Sequence, residues 1–451
     1  MQPSGPVVVL WRRLLCGAGV LALAVLLSPV PAFAVQIEKI DGDGIEAWLV
    51  EDHANPIIAM RIAFRDAGAS RDPADQSGRA TMVAGLLDEG AGDLESDAFQ
   101  QRLEDQGIRL GFDAGQDTFA GTVQTLTQHR EIAFDLLRLA LTQPRFDAEP
   151  VARIRNQLQA ALRQEAEDPN AVAARTLWSM LYPHHPYGRP PGGTAESLER
   201  ITVADLRQFV AERLARDRLV VGVVGDITPE QLRGVLISTF AGLAPHAAPG
   251  SVADVAANAD GRIAVVDMNV PQSAIAFAQA GLRRDDARFY ALNVLNQILG
   301  GSGLTSRLFD EVREKRGLAY SVYTGLAPLD HSALILGGAG TANKSAGETV
   351  AVIRRVWARI AHDGVSDSEL ADAKAYLTGS FPLRFAGSGR LAALLVSIQI
   401  ENLGIDYLNR REHLINDVVR SDVDALAREL LDADRLTFAI VGHPQGLHDA
   451  R

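Results

Sequence analysis

Residues 204–225 read ADLRQFVAERLARDRLVVGVVG and residues 421–442 read SDVDALARELLDADRLTFAIVG, at one offset of 217. Asp205 matches Asp422, Leu214 matches Leu431, Asp217-Arg218-Leu219 matches Asp434-Arg435-Leu436, and Val224-Gly225 matches Val441-Gly442. Each copy reads as a helix, a short turn and a buried strand, and each closes one half of the chain. A repeat so placed constrains the fold, because it supports a cut into two halves that end in the same helix, turn and strand. Between the halves, Ala244-Pro245-His246-Ala247-Ala248-Pro249-Gly250-Ser251 has no period and is rich in Ala, Pro and Gly. The expected organisation is a domain over 35–243, a linker over 244–260 and a homologous domain over 261–451.

Within the first half the pattern mixes periods. Ile57 to Phe64 is a strand candidate, and Ile108 to Ala114 with Thr118 to Val123 reads as two strands joined by a short turn. Helical patterns cover Gly78 to Leu87, Ser96 to Gln106 with Ser96 as the expected cap, Ile132 to Leu141, Glu149 to Glu167 and Asn170 to Leu181. Both periods recur through this half, so it reads as a domain containing both strands and helices.

The N-terminus is a separate problem. Arg12 and Arg13 precede the uncharged apolar run Leu14 to Leu27, then Ser28, Pro29 and the small-x-small sequence Ala32-Phe33-Ala34. This is the pattern of a secretory signal peptide over residues 1–34, cleaved after Ala34, and it predicts a periplasmic or secreted protein. The competing reading is an uncleaved anchor, but the run is shorter than the roughly 20 residues that span a bilayer, and Pro29 and Pro31 break it. No stable membrane insertion is expected after cleavage. The only cysteine, Cys16, leaves with the signal, which excludes disulfides, cysteine nucleophiles and cysteine-bound metal in the mature chain. With 44 Lys+Arg against 56 Asp+Glu the formal charge is −12, so no nucleic-acid partner is expected.

The usual catalytic signatures are missing. No Gly-x-Ser-x-Gly elbow and no Gly-x-x-x-x-Gly-Lys phosphate loop occurs. Gly300-Gly301-Ser302-Gly303 follows a helical pattern over Phe289 to Leu299 rather than a strand, which disfavours a dinucleotide site. No two of the ten histidines stand at the i, i+4 spacing that presents two ligands on one helix face. His184 and His185 are adjacent in a proline-rich loop, and by its own residues the chain does not read as a metalloenzyme.

The segment GGSGLTSRLFDEVREKRGLAYSVY, Gly300 to Tyr323, resembles the pitrilysin or insulinase-type zinc peptidases, peptidase family M16, in the short-subunit branch related to the mitochondrial processing peptidase. Tyr182-Pro183-His184-His185-Pro186-Tyr187-Gly188-Arg189-Pro190 is similar to the family's first-half loop, and Glu167-Asp168-Pro169 to the acidic-Pro step before it. The resemblance implies an α+β sandwich fold, a clam-shell of two homologous domains each with a mixed or antiparallel sheet covered by helices, and a peptide chamber closed with a homologous partner. It also implies a loss. The family's His-x-x-Glu-His would fall on Gly78 to Gly85, with the zinc histidines at Thr81 and Gly85 and the general base at Ala84, and the third ligand would fall at Ala161. None of these side chains binds zinc, and a shifted register that recruited Glu89 or Glu165 would still lack two histidines.

What the resemblance leaves is an Arg and a Tyr, here Arg313 and Tyr320, which members place across the chamber from the zinc. A guanidinium can hold a peptide carbonyl or carboxylate, and a phenol can donate to a developing oxyanion. Without the resemblance, the two are an Arg at a solvated helix end and a Tyr in a strand. Gly300, Gly301 and Gly303 resemble a glycine-rich loop that some non-catalytic subunits present to substrate, though a helix-ending turn needs glycine equally. The expectation is therefore a zinc-free subunit of a periplasmic heterodimeric metallopeptidase, not catalytic alone. No cofactor would bind it directly, zinc would sit on a homologous partner carrying His-x-x-Glu-His, and peptides would be the substrates. The alternatives are a non-catalytic peptide-binding or scaffold protein with the same fold, and a stand-alone hydrolase with an unrecognised site.

Overall fold

A computed structural model describes residues 36–301, 303 and 305–447. The expected signal segment 1–34, with Cys16, lies outside the described residues. The first half supplies strands β1 (Glu38–Gly42), β2 (Ile45–Glu51), β3 (Ile57–Arg65), β4 (Arg109–Ala114), β5 (Thr118–Leu126) and β6 (Leu219–Gly225). Its helices are α1 (Arg79–Ala84), α2 (Ser96–Asp105), α3 (Arg130–Thr142), α4 (Ala148–Glu167), α5 (Pro169–Leu181), α6 (Ala195–Arg200), α7 (Val203–Arg213) and α8 (Pro229–Phe240). The second half supplies β7 (Ile263–Asp267), β8 (Gln272–Ala280), β9 (Ala319–Pro328), β10 (Ala333–Ala342) and β11 (Thr437–Gly442). Its helices are α9 (Phe289–Gly300), α10 (Ala346–Asp363), α11 (Asp367–Gly379), α12 (Ser388–Ile400), α13 (Tyr407–Asn416) and α14 (Arg420–Leu430), with a π-helical segment at Phe309–Glu314. Between Phe240 and Ile263 the described chain forms no helix or strand.

The repeat is written into the topology. One sheet has the order β1-β2-β6-β3-β5-β4 and the other β7-β11-β8-β10-β9, so apart from β1 they match strand for strand. In both, one pair is parallel (β2 with β6, β7 with β11) and the rest antiparallel. The offset of 217 carries α7 (Val203–Arg213) onto α14 (Arg420–Leu430) residue for residue. The fold is α+β, two helix-covered mixed sheets, as the resemblance implies.

Both β6 and β11 are buried at almost every position, which requires cover on two faces. On one face each sheet meets helices of its own half: Val221 and Val223 join the first core with Phe209 and Leu236, and Phe438 and Ile440 join the second with Trp357. The other face is covered by an exchange. Helix α5, from the first half, lies on β8 and β11, and α12, from the second, lies on β3 and β6. Leu177 and Leu181 of α5 pack on Ala278 and Ala439, Val172 and Ala173 on Ala274 and Val441, and Val396 of α12 on Ala63, Ala120 and Val220. The sheet residues here are small, which lets a helix approach closely. Nowhere is this tighter than at Gly222, where a Cβ would stand 2.7 Å from the Ala392 carbonyl oxygen. Gln399 of α12 completes the seam by donating from Nε2 to the Val221 carbonyl at 2.9 Å. Residues from Ile37 on accordingly form one compact unit.

Helix starts follow local chemistry. Asp168 accepts from the Asn170 amide at 2.9 Å and Pro169 opens α5, so the acidic-Pro step is a helix cap. Ser96 is not a cap, contrary to expectation. It lies inside the first turn of α2, after Glu95, and its hydroxyl donates to Glu89 instead. No described helix is long and apolar enough to cross a membrane.

Candidate functional site

The ligand positions of the expected zinc motif are occupied by packing. Helix α1 has six residues, and Asp72 accepts from the Ala80 amide at 3.0 Å. Thr81 donates its hydroxyl to the Pro191 carbonyl at 2.8 Å, Ala84 is buried, and a Cβ at Gly85 would come within 3.2 Å of Ile154 Cγ2 on α4. Ala161 is exposed on α4, and so is Glu165. Glu89 is held by two Arg153 bonds at 3.0 and 2.7 Å, and the guanidinium keeps its carboxyl below the usual range. Hydroxyl, methyl and hydrogen at these places do not fit a zinc ion. Among the described residues no three His, Cys, Asp or Glu side chains gather where a metal could be held.

The histidine pair belongs to a structural pin. His184 is exposed, while His185 Nδ1 accepts from the Tyr187 amide at 3.2 Å and Nε2 lies 2.9 Å from the Ala253 carbonyl, so both ring nitrogens are held by backbone. Tyr187 is fully buried; it donates to Asp117 of the β4–β5 turn at 2.7 Å and accepts from the His331 amide of the second half at 3.1 Å. Burial, with Asp117 beside it, pushes the Tyr187 phenol up, so it stays protonated. Tyr182 donates to Ser332 at 2.8 Å, a second link between the halves.

Arg313 and Tyr320 come together. Arg313 sits in the π-helical segment, and its guanidinium lies 4.8 Å from the Phe309 ring centre and 5.0 Å from that of Tyr320. Gly317 takes φ +63° to turn the chain from this segment into β9, a conformation that disfavours any side chain. Along β9 the pairing with β10 runs Gly338 to Tyr323, Ala339 to Val322 and Gly340 to Ser321, then jumps to Thr341 with Ala319. Tyr320 is thus the extra residue of a β-bulge. A bulge re-aims its side chain, and the Tyr320 ring stands 80% exposed. It borders a cavity of about 420 Å³ between α5 and strands β8 to β10, with Trp178, Tyr323 and the bare backbone of Gly338 and Gly340. Among the described residues, no charged one lines this space.

The glycines divide. Gly300 and Gly301 are buried at the end of α9, where a Cβ would fall 2.6 Å from Thr324 Oγ1 and 2.5 Å from Gln297 Oε1 respectively. Gly301 donates its amide to the Asn296 carbonyl at 2.8 Å, closing the helix. Gly303 is exposed at φ +117°. Sequence reasoning missed the placement of α5 over the second sheet, the bulge, and Phe309 beneath Arg313. The run Gly337-Gly338-Ala339-Gly340 was the one available signal, because glycines inside a strand pattern mark a bulge or a close approach.

Two helix-covered repeats, a helix whose zinc-ligand positions hold Thr81, Ala84 and Gly85, and an Arg–Tyr pair on the second sheet define a peptidase-type fold without its metal site. Comparison with known proteins gives the same class. Residues 200–377 match the family described as "Peptidase M16 inactive domain". The chain is 27% identical over 421 residues to the "Non-peptidase homolog YmxG" of Helicobacter pylori, covering 91% of this chain and 95% of that protein. It is 24% identical over 428 residues to the "Probable mitochondrial-processing peptidase subunit beta" of Schizosaccharomyces pombe, covering 88% and 90%. A crystal structure of a peptidase M16 inactive domain from Pseudomonas fluorescens superposes with a TM-score of 0.83 at 28% identity, covering 91% of this chain and 98% of that one. The chain is thus similar to M16-type proteins along most of its length, and over residues 200–377 to the domain of that family described as inactive.

Proposed function

We propose that this chain is the zinc-free subunit of a periplasmic heterodimeric M16-type metallopeptidase, binding peptide and completing a site whose zinc a homologous partner carries. The observation that supports this reading is the Arg313–Tyr320 stack, 5.0 Å apart and lifted by the bulge beside an open cavity, in a chain whose own ligand positions hold Thr81, Gly85 and Ala161. An exposed phenol backed by a cation is poised to donate a hydrogen bond, and Arg313, which among the described residues pairs with no carboxylate but Glu314 at 4.0 Å, keeps N–H groups for a peptide carbonyl or carboxylate. Family members commonly pair with homologous subunits. The secretory pattern of residues 1–34 supports the periplasmic placement.

The test is to isolate the tagged mature chain from periplasmic extract with its stoichiometric companions. A companion of similar size bearing His-x-x-Glu-His, with chelator-sensitive peptidase activity that neither chain has alone, is expected. In that complex Arg313→Ala and Tyr320→Phe should each lower turnover by about 10²-fold, the effect of removing one transition-state donor, without dissociating it. Normal turnover in both variants would overturn the reading. A chain that emerges alone or as a homodimer, inactive but binding peptides, would make it a non-catalytic peptide-binding or scaffold protein.

A further inference from the structure

The Arg313–Tyr320 geometry depends on Leu318, the residue between the Gly317 turn and the strand. The Leu318 amide donates to the Val312 carbonyl at 2.9 Å, and the Gly317 amide donates to the Arg313 carbonyl at 2.9 Å. These bonds tie the start of β9 to the segment that carries Arg313. The Leu318 carbonyl, in turn, accepts from the hydroxyl of Thr341 at 2.6 Å. Thr341 lies on β10 at the jump in register, opposite Ala319, and is buried. Its hydroxyl is 3.1 Å from that of Thr349, which donates to the Ser345 carbonyl at 2.9 Å in the first turn of α10. Both threonines are out of solvent, so no water can replace either bond.

We infer that Thr341 is a positioning residue for Tyr320. A β-bulge leaves one residue without a ladder partner, and the regular register competes with it unless something holds the extra residue out. Here the Thr341 hydroxyl binds the backbone carbonyl that a bulge would otherwise leave unpaired in a dry environment. Removing it makes the regular register the better arrangement. Tyr320 then shifts along the ladder and its ring leaves the Arg313 guanidinium. Thr341 touches neither Arg313 nor Tyr320 in any hydrogen bond or ring contact, and its effect passes through the backbone of Leu318 and Ala319. The inference that this matters for turnover rests on the proposed subunit role; the inference that Thr341 sets the position of Tyr320 does not.

The test uses the full mature chain labelled with 3-fluorotyrosine, the Tyr320 resonance being assigned by its loss in Tyr320→Phe. Thr341→Val, which keeps shape and removes the hydroxyl, should move that resonance by more than its linewidth, and Thr341→Ser should return it. Should Thr341→Val fail to fold, Thr341→Ala, which removes the same hydroxyl with less bulk, must move the same resonance. An unmoved resonance in a folded variant overturns the inference. In the isolated complex, Thr341→Val should reduce turnover to within about threefold of Tyr320→Phe, and the double variant should be no slower than Tyr320→Phe alone, because two residues acting through one group are not additive. Additive losses overturn the inference. If the resonance moves while Arg313→Ala and Tyr320→Phe both leave turnover unchanged, the subunit proposal fails and the positioning role of Thr341 stands.

Discussion

Substituting Gly222 by alanine tests whether the exchanged helices hold the two halves together. The added Cβ would lie 2.7 Å from the Ala392 carbonyl, 3.0 Å from Leu395 Cβ and 3.2 Å from Val396 Cγ2, whereas ordinary Cβ contacts are 3.4–4 Å. The nearest atom is helix backbone and cannot swing aside, so α12 must withdraw by 3.4 − 2.7, or 0.7 Å. A rigid shift of that size stretches the 2.9 Å bond from Gln399 to Val221 to about 3.6 Å, beyond a useful hydrogen bond. Overpacking costs about 1–3 kcal/mol and the lost bond about 1 kcal/mol, so the expected loss is about 2–4 kcal/mol. Urea unfolding would be followed by tryptophan fluorescence in variants that retain Trp48 of β2 or Trp357 of α10. Because β6 belongs to the first half and α12 to the second, both midpoints should fall together. A change below about 0.5 kcal/mol, or one confined to the Trp48 reporter, would refute the reasoning. Position 439, which the offset of 217 relates to 222, already holds a buried alanine under α5. Ala439→Gly should therefore cost only about 1 kcal/mol, from backbone entropy and one methyl.

Asp72 predicts a pH dependence. Burial pushes its carboxyl from 3.8 to about 6 although the Ala80 amide and nearby arginines oppose the shift. A raised folded-state value means that its contribution is complete below pH 3.8 and is lost as pH rises to about 6. Between pH 5 and pH 7 the wild type should lose about 1.4 kcal/mol relative to Asp72→Asn, which cannot ionise, as read from paired urea midpoints; parallel profiles would refute this. Tyr187→Phe removes the bonds to Asp117 and the His331 amide and should cost about 1–3 kcal/mol. Hydrogen exchange at His331 should quicken with it, and unchanged protection there would show that the pin lies elsewhere.

Much of this protein is legible in sequence because it rests on local or repeated patterns. The spacing of apolar residues placed β3, β5 and helices α4 and α5 to within a few residues, and the duplicated 204–225 and 421–442 units implied matching sheets. The loss at Thr81, Ala84, Gly85 and Ala161 is also visible there, since ligation depends on side-chain identity, which sequence states directly. Ser96 was misplaced because a serine before an apolar run looks the same whether it caps the helix or reaches sideways to Glu89. The sequence likewise shows that β6, and β11 after Thr437, are apolar runs that call for cover on both faces, but not by what.

Only the tertiary structure decided the rest. That α5 covers β8 and β11, that α12 covers β3 and β6, that Tyr187 links the halves, and that Thr341 holds Tyr320 out toward Arg313 are relations between residues far apart in the chain. Periodicity reports which face of an element is buried, because that is a property of one segment and water. It does not report which partner buries it, because competing apolar faces differ in shape and spacing rather than in hydrophobicity, and those appear only when the chain has packed.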